Sequence, residues 1–111
     1  MLGVNVFEEK NATVVEISGR IDSMSAHEFG DALSTPINDK HTEIVLDLAG
    51  VEYMSSAGLR EIVAALKKLR RASGDLRIAQ PSDRVLEVLE MAGLDTILQI
   101  YETQSDAVAS F

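Results

Sequence analysis

The sequence predicts an α/β fold built on a mostly parallel mixed β-sheet, with one antiparallel strand supplied by the N-terminus and about four α-helices. Three observations carry that prediction. An alternating apolar pattern opens the chain as a hairpin; the unbroken aliphatic run Ile44-Val45-Leu46 marks a strand covered on both faces; strand-like and helix-like segments then take turns to the C-terminus. Parallel neighbours joined through helices imply right-handed crossovers.

Leu2, Val4 and Val6 alternate with smaller or polar residues, and Thr13, Val15 and Ile17 do so after the polar turn Glu9-Lys10-Asn11-Ala12, which predicts the hairpin. Gly19-Arg20-Ile21-Asp22 reads as the chain leaving its second strand. Ser25 stands three residues before Glu28, the spacing of a capping box, and predicts a helix from about Ala26 to Thr35 that buries Phe29 and Leu33 and is stopped by Pro36.

The central strand runs from Ile44 through Asp47 to Leu48, followed by Val51-Glu52-Tyr53-Met54 and the turn Ser55-Ser56-Ala57-Gly58. Leu59, Ile62, Val63, Leu66 and Leu69 then recur at helical spacing, so one side of a second helix faces the core. Its other side holds Arg60, Glu61, Lys67, Lys68 and Arg71, with the cations crowded where the macrodipole favours them and Gly74 just beyond.

Leu76 and Ile78 mark a fourth strand. Pro81-Ser82-Asp83 opens a third helix with Val85, Val88, Leu89 and Ala92 inward and Gly93 as its stop. Ile97 to Tyr101 reads as a last short strand. Thr103 with Asp106 repeats the cap spacing, predicting a closing helix from Gln104 to about Ser110 with Val108 packed beneath it.

With 111 residues and 46% hydrophobic content, one domain spanning residues 1–111 is expected. There are 18 acidic and 10 basic residues, a net charge of −8, which argues against docking on nucleic acid or anionic membrane. The absence of cysteine excludes disulfides, thiolate catalysis and thiol-bound zinc. The first residues lack a basic start followed by an apolar run, and nowhere do eighteen apolar residues stand together. A soluble, unexported, cytoplasmic protein is the expectation.

Enzymatic signatures are missing. No G-x-x-x-x-G-K-[ST] loop exists to cradle phosphates. Met54-Ser55-Ser56-Ala57-Gly58 offers the serine and second glycine of a nucleophile elbow, but Met54 replaces the first glycine and both histidines, His27 and His41, precede the serine. The same histidines lack the paired spacing of metal ligands and read as exposed surface residues. Neither a cofactor, a metal nor catalysis is expected.

Ligands and partners of such sheets gather at the strand C-termini. The turn from Tyr53 to Gly58 and the segment from Gly19 to Asp22 both follow strand ends and can meet on one edge. Ser56, at or next to the start of the second helix, admits two readings: a plain N-cap, or a phosphate acceptor whose dianion would sit at the positive end of the macrodipole. A partner packed flat on that corner would then have to bury or repel the new charge.

Asp47-Leu48-Ala49-Gly50-Val51-Glu52-Tyr53-Met54-Ser55-Ser56-Ala57-Gly58-Leu59 resembles the signature of the STAS domain, in the branch of anti-sigma factor antagonists. Gly19-Arg20-Ile21-Asp22 matches a second family element, and Met91-Ala92-Gly93-Leu94 with Ile100-Tyr101 is similar to the family's ending. The resemblance covers essentially the whole chain and implies a STAS-like fold. It also implies partner switching: the unphosphorylated antagonist binds an anti-sigma factor that is a serine kinase, phosphorylation of the serine matching Ser56 breaks that complex, and a serine phosphatase restores it.

Many members carry aspartate where this chain has Ser55, which leaves Ser55 as a second, less favoured acceptor. By the same resemblance, Asp22 is assigned to kinase docking or surface shaping, beside its plain reading as a residue that prepares the turn into the first helix. Gly58 is expected to let a partner or phosphate approach the first helical turn. Tyr53 and Met54 offer an apolar contact or core filling, and Arg60 a partner contact or a solvated side chain. The rival readings are a STAS-type module sensing a nucleotide or other anion, a scaffold, and a partner switch with a non-sigma output. A monomer or weak dimer is expected.

Overall fold

A computed structural model describes residues 1–111. Its strands are β1 (Gly3–Glu9), β2 (Ala12–Ile21), β3 (Glu43–Met54), β4 (Asp75–Ala79) and β5 (Gln99–Tyr101). Its helices are α1 (Ala26–Asn38), α2 (Ser56–Arg71), α3 (Asp83–Met91) and α4 (Gln104–Ala109), with a 3-10 turn at Leu94–Thr96. The sheet order is β1-β2-β3-β4-β5, so strands lie side by side in the order in which the chain makes them. β1 pairs antiparallel with β2, and every other pair is parallel. The expected fold class is the one observed.

Alternation along β3 shows how the layers form. Ile44, Leu46 and Leu48 join the larger core with Phe29 and Leu33 of α1, Ile62, Leu66 and Leu69 of α2, and Val85 and Leu89 of α3. Val45 faces the opposite way, into a smaller cluster with Val14, Ala79 and, from α4, Ala107 and Val108. Three helices therefore cover one face and α4 covers part of the other, as two-sided burial of a central strand requires. Asp47 points to the α4 side, where its carboxylate accepts from Gln80 Nε2 at 2.8 Å, Gln104 Nε2 at 2.6 Å and the Ala49 amide at 2.9 Å. These three donors meet the demand that a buried charge makes.

Several boundaries differ from the sequence expectation. Gly19, Arg20 and Ile21 do not leave the sheet but continue β2, through register shifts between Glu16 and Ser18 and between Gly19 and Arg20. β3 likewise runs on to Met54, because Arg20 pairs with Tyr53 and Ile21 with Met54. Pro36 does not stop α1. It lies in the last turn, and the helix continues to Asn38 while the Ser34 and Thr35 hydroxyls donate to the Gly30 and Asp31 carbonyls, one turn back.

The Ser25–Glu28 capping box does not form either: Ser25 makes no side-chain cap bond, and Glu28 Oε1 accepts from the Leu2 amide at 3.2 Å. Gly74 ends α2 by fit rather than by a left-handed conformation. Ser73 takes the positive φ, while a Cβ on Gly74 would fall 1.9 Å from the Thr42 carbonyl oxygen. Val4 and Val6 are exposed on the edge strand, Ala92 is exposed rather than inward, and Ile97 lies outside β5. His41 is half-buried, 3.0 Å from Thr13 Oγ1, whereas His27 is exposed. No helix is long and apolar enough to cross a membrane.

Candidate functional site

The ends of β2 and β3 and the start of α2 form one corner. Pairing of Ile21 with Met54 brings the two strand ends level, and the Ser55 amide closes the junction by donating to the Ile21 carbonyl at 2.8 Å. The segments Gly19–Asp22 and Tyr53–Gly58 therefore meet, as their positions in the sequence allow. Beneath them Ile21 and Met54 are fully buried and form the floor on which α2 lands.

The two serines do different things. Ser55 is the N-cap residue in extended conformation (φ −91, ψ 174), but its side chain caps no amide; its Oγ is buried without a hydrogen-bond partner. Ser56 is the first helical residue and is exposed. With no side chain turned onto the first turn of α2, the positive end of a sixteen-residue helix is left open beside the Ser56 hydroxyl.

Asp22 opens the neighbouring loop. Its carboxylate accepts from the Met24 amide at 3.0 Å and the Ser25 amide at 3.2 Å. The Met24 bond is the main reason that its pKa lies below the usual carboxylate value; slight desolvation opposes this, while Ser25 and the charge of Arg20 add to it. Ser25 Oγ locks the loop from the other side, accepting from the Asp22 amide at 3.0 Å and donating to the Arg20 carbonyl at 2.7 Å. Arg20 completes the rim: its guanidinium stacks 4.1 Å from the Tyr53 ring centroid and its Nε lies 3.5 Å from Asp22 Oδ2.

Of the residues singled out from the sequence, Asp22, Tyr53, Ser55 and Ser56 come together, and Arg60 lies exposed one helical turn beyond Ser56. Met54 and Gly58 do not reach the surface. Met54 is core filling. Gly58 is buried because a Cβ there would meet Ile21 Cγ2 at 2.7 Å and Met54 Cγ at 2.9 Å, so its missing side chain seats the helix on the strands rather than admitting a partner. Sequence reasoning missed Arg20 and Ser25, which hold Tyr53 and Asp22 in place. The only signal was their position, within or just after Gly19-Arg20-Ile21-Asp22. It also missed Met24, a large apolar side chain fully out in solvent beside Asp22. No group of three or more His, Asp or Glu side chains is arranged to hold a metal ion.

A family model described as the STAS domain matches residues 4–107. The chain belongs to the STAS domain family. Among its relatives, the anti-sigma-B factor antagonist of Bacillus subtilis (strain 168) is 29% identical over 99 residues, covering 89% of this chain and 90% of that protein. The crystal structure of an anti-sigma factor antagonist from Mycobacterium paratuberculosis superposes with a TM-score of 0.91 at 26% identity, over 99% of this chain and 93% of that one. The Bacillus cell fate determinant SpoIIAA, solved in its phosphorylated form, shares the fold at a TM-score of 0.75 and 18% identity, over 97% of this STAS chain and 98% of its own.

Proposed function

We propose that this STAS domain is an anti-sigma factor antagonist, working in the cytoplasm, that exchanges partners according to the phosphorylation state of Ser56. Unphosphorylated, it binds an anti-sigma factor that is also a serine kinase; phosphorylation of Ser56 breaks the complex, and a serine phosphatase restores the binding form. The domain is the kinase's substrate and not itself a catalyst.

The observation that carries this reading is the division of labour between the adjacent serines. Ser56 presents an exposed hydroxyl on the first turn of α2, while the Ser55 amide is tied to Ile21 and its hydroxyl is buried. A phosphate on Ser56 adds about −1.5 to −2 charges at the helix end best able to tolerate them. The fold survives, but a partner packed on Asp22, Tyr53 and Ser56 must desolvate a dianion, at a cost of several kcal/mol unless it is paired. Family membership, the similarity to the anti-sigma-B factor antagonist of Bacillus subtilis and the existence of a phosphorylated form of SpoIIAA all support the reading.

The test is phosphorylation by the cognate kinase followed by fragment-resolved mass spectrometry, with binding measured for Ser56→Ala and Ser56→Asp. Phosphate is expected on Ser56 in the parent chain and in Ser55→Ala, Ser56→Ala stays bound in the presence of ATP, and Ser56→Asp binds roughly tenfold weaker or worse. Phosphate on Ser55 alone, or equal affinities for the two Ser56 variants, overturns it.

A further inference from the structure

The second helix has a charge asymmetry that the Ser56 corner does not use. In a chain of 18 acidic and 10 basic residues, α2 alone holds Arg60, Lys67, Lys68, Arg70 and Arg71, against the single acid Glu61. The helix is therefore net +4, which leaves −12 for the remainder of a −8 chain. Arg70 is used internally, donating to the Ile97 carbonyl at 2.6 Å and lying 3.6 Å from Asp75. None of the other four enters an ion pair.

Those four cations border an apolar groove of about 600 Å³, floored by Leu59, Val63, Ala92 and Leu94. The groove exists because α2 packs against α1, while α3 lies over β3 and the 3-10 turn and leaves the flank of α2 open. Ala92, which the helical spacing directs to the core, is exposed and forms part of its floor.

We propose that this groove docks an acidic amphipathic helix of a protein partner, at a surface separate from the Ser56 corner. The apolar floor gives such a helix somewhere to bury one stripe, and the cations, all on the α2 side of the groove, meet carboxylates along the adjoining flank of that stripe. From Arg60 to Arg71 the row takes eleven steps along the helix, about 16 Å at 1.5 Å per residue, which three turns of a ligand helix match. Charge complementarity also limits the occupant's length. A long polyanion such as nucleic acid runs off the helix onto the remainder of the chain, whose net charge is −12.

The experiment titrates the full isotope-labelled chain with a synthetic peptide of about 14 residues, bearing Leu at helical spacing and Glu on the flank facing α2, and follows amide shifts by NMR. A scrambled peptide of equal composition, a peptide with Glu moved to the flank away from α2, and vesicles rich in phosphatidylserine serve as comparisons. Saturable shifts centred on Leu59, Val63, Ala64, Ala92 and Leu94 are expected for the patterned peptide. The double variant Lys67→Glu/Arg71→Glu, with unchanged melting temperature, should bind roughly tenfold more weakly. Equal binding of either comparison peptide, shifts centred elsewhere, stronger binding to vesicles than to peptide, or indifference to the charge reversal overturns the proposal. So does self-association of the chain through the same residues, which would place a second copy in the groove. The readout does not depend on Ser56, so it can fail while the switch stands.

Discussion

Four helices of this STAS domain begin at a hydroxyl residue, and they divide into two pairs. At α3 and α4 the hydroxyl caps: Ser82 Oγ accepts from the Val85 amide at 3.3 Å and Thr103 Oγ1 from the Asp106 amide at 3.0 Å. At α1 and α2 it does not, since Ser25 is turned into the Asp22 loop and the Ser55 hydroxyl is buried without a partner. The second pair frames the candidate site. At the two helix starts away from the candidate site the cap is closed; at the two that frame it, the side chain that would close it is engaged elsewhere or withheld.

The largest effect that sharpens this contrast is at Gly58, on which the seating of α2 depends. Gly58→Ala puts a methyl group against Ile21 and Met54, and the overpacking should cost about 1–3 kcal/mol, only partly offset by better helix propensity. Urea denaturation checks it; a variant as stable as the parent would mean that the corner yields easily.

The caps themselves give the next largest effect, with opposite signs expected. Ser82→Ala should lose about 1 kcal/mol, the usual worth of a capping hydroxyl. Ser55→Ala should lose nothing or gain slightly, because it removes a buried hydroxyl that bonds to nothing. Equal losses in thermal melting would break the distinction between the two corners.

The smallest expected effect is in acid. Asp22 has its pKa lowered in the fold, chiefly by the Met24 amide, so its contribution is present above the unfolded carboxylate value and is lost as pH falls through the lower folded value. The difference in melting temperature between the parent and Asp22→Asn should hold from neutral pH down to about pH 4 and shrink below it. A difference independent of pH would assign the loop's order to Ser25 instead.

How much of this was legible follows from the range of the forces involved. The periodicity of α2, the αL stop at Gly93 and the Thr103 cap are local, and the sequence states each of them. The capping signals at Ser25 and Ser55-Ser56 are just as local, but they mislead, because the partners that claim or exclude those side chains come from other parts of the chain. The ends of β2 and β3 were missed for a related reason: Arg20 and Tyr53 carry no apolar alternation and are strand only because each pairs with the other. Gly58 was marked correctly and misread, since sequence shows a missing side chain but not which neighbour needs the space.

The agreement between strand order and chain order bears on how the domain is made. Each strand lies beside the one made before it, and no crossover skips a neighbour. Residues up to the end of α2 supply the whole of the Ser56 corner, so its sequence is complete by residue 71, before the far side of the sheet has been synthesised. The α2 groove must wait for Ala92 and Leu94. The two surfaces thus draw on different lengths of chain: the corner is contained in residues 1–71, while the groove also needs residues from the last third.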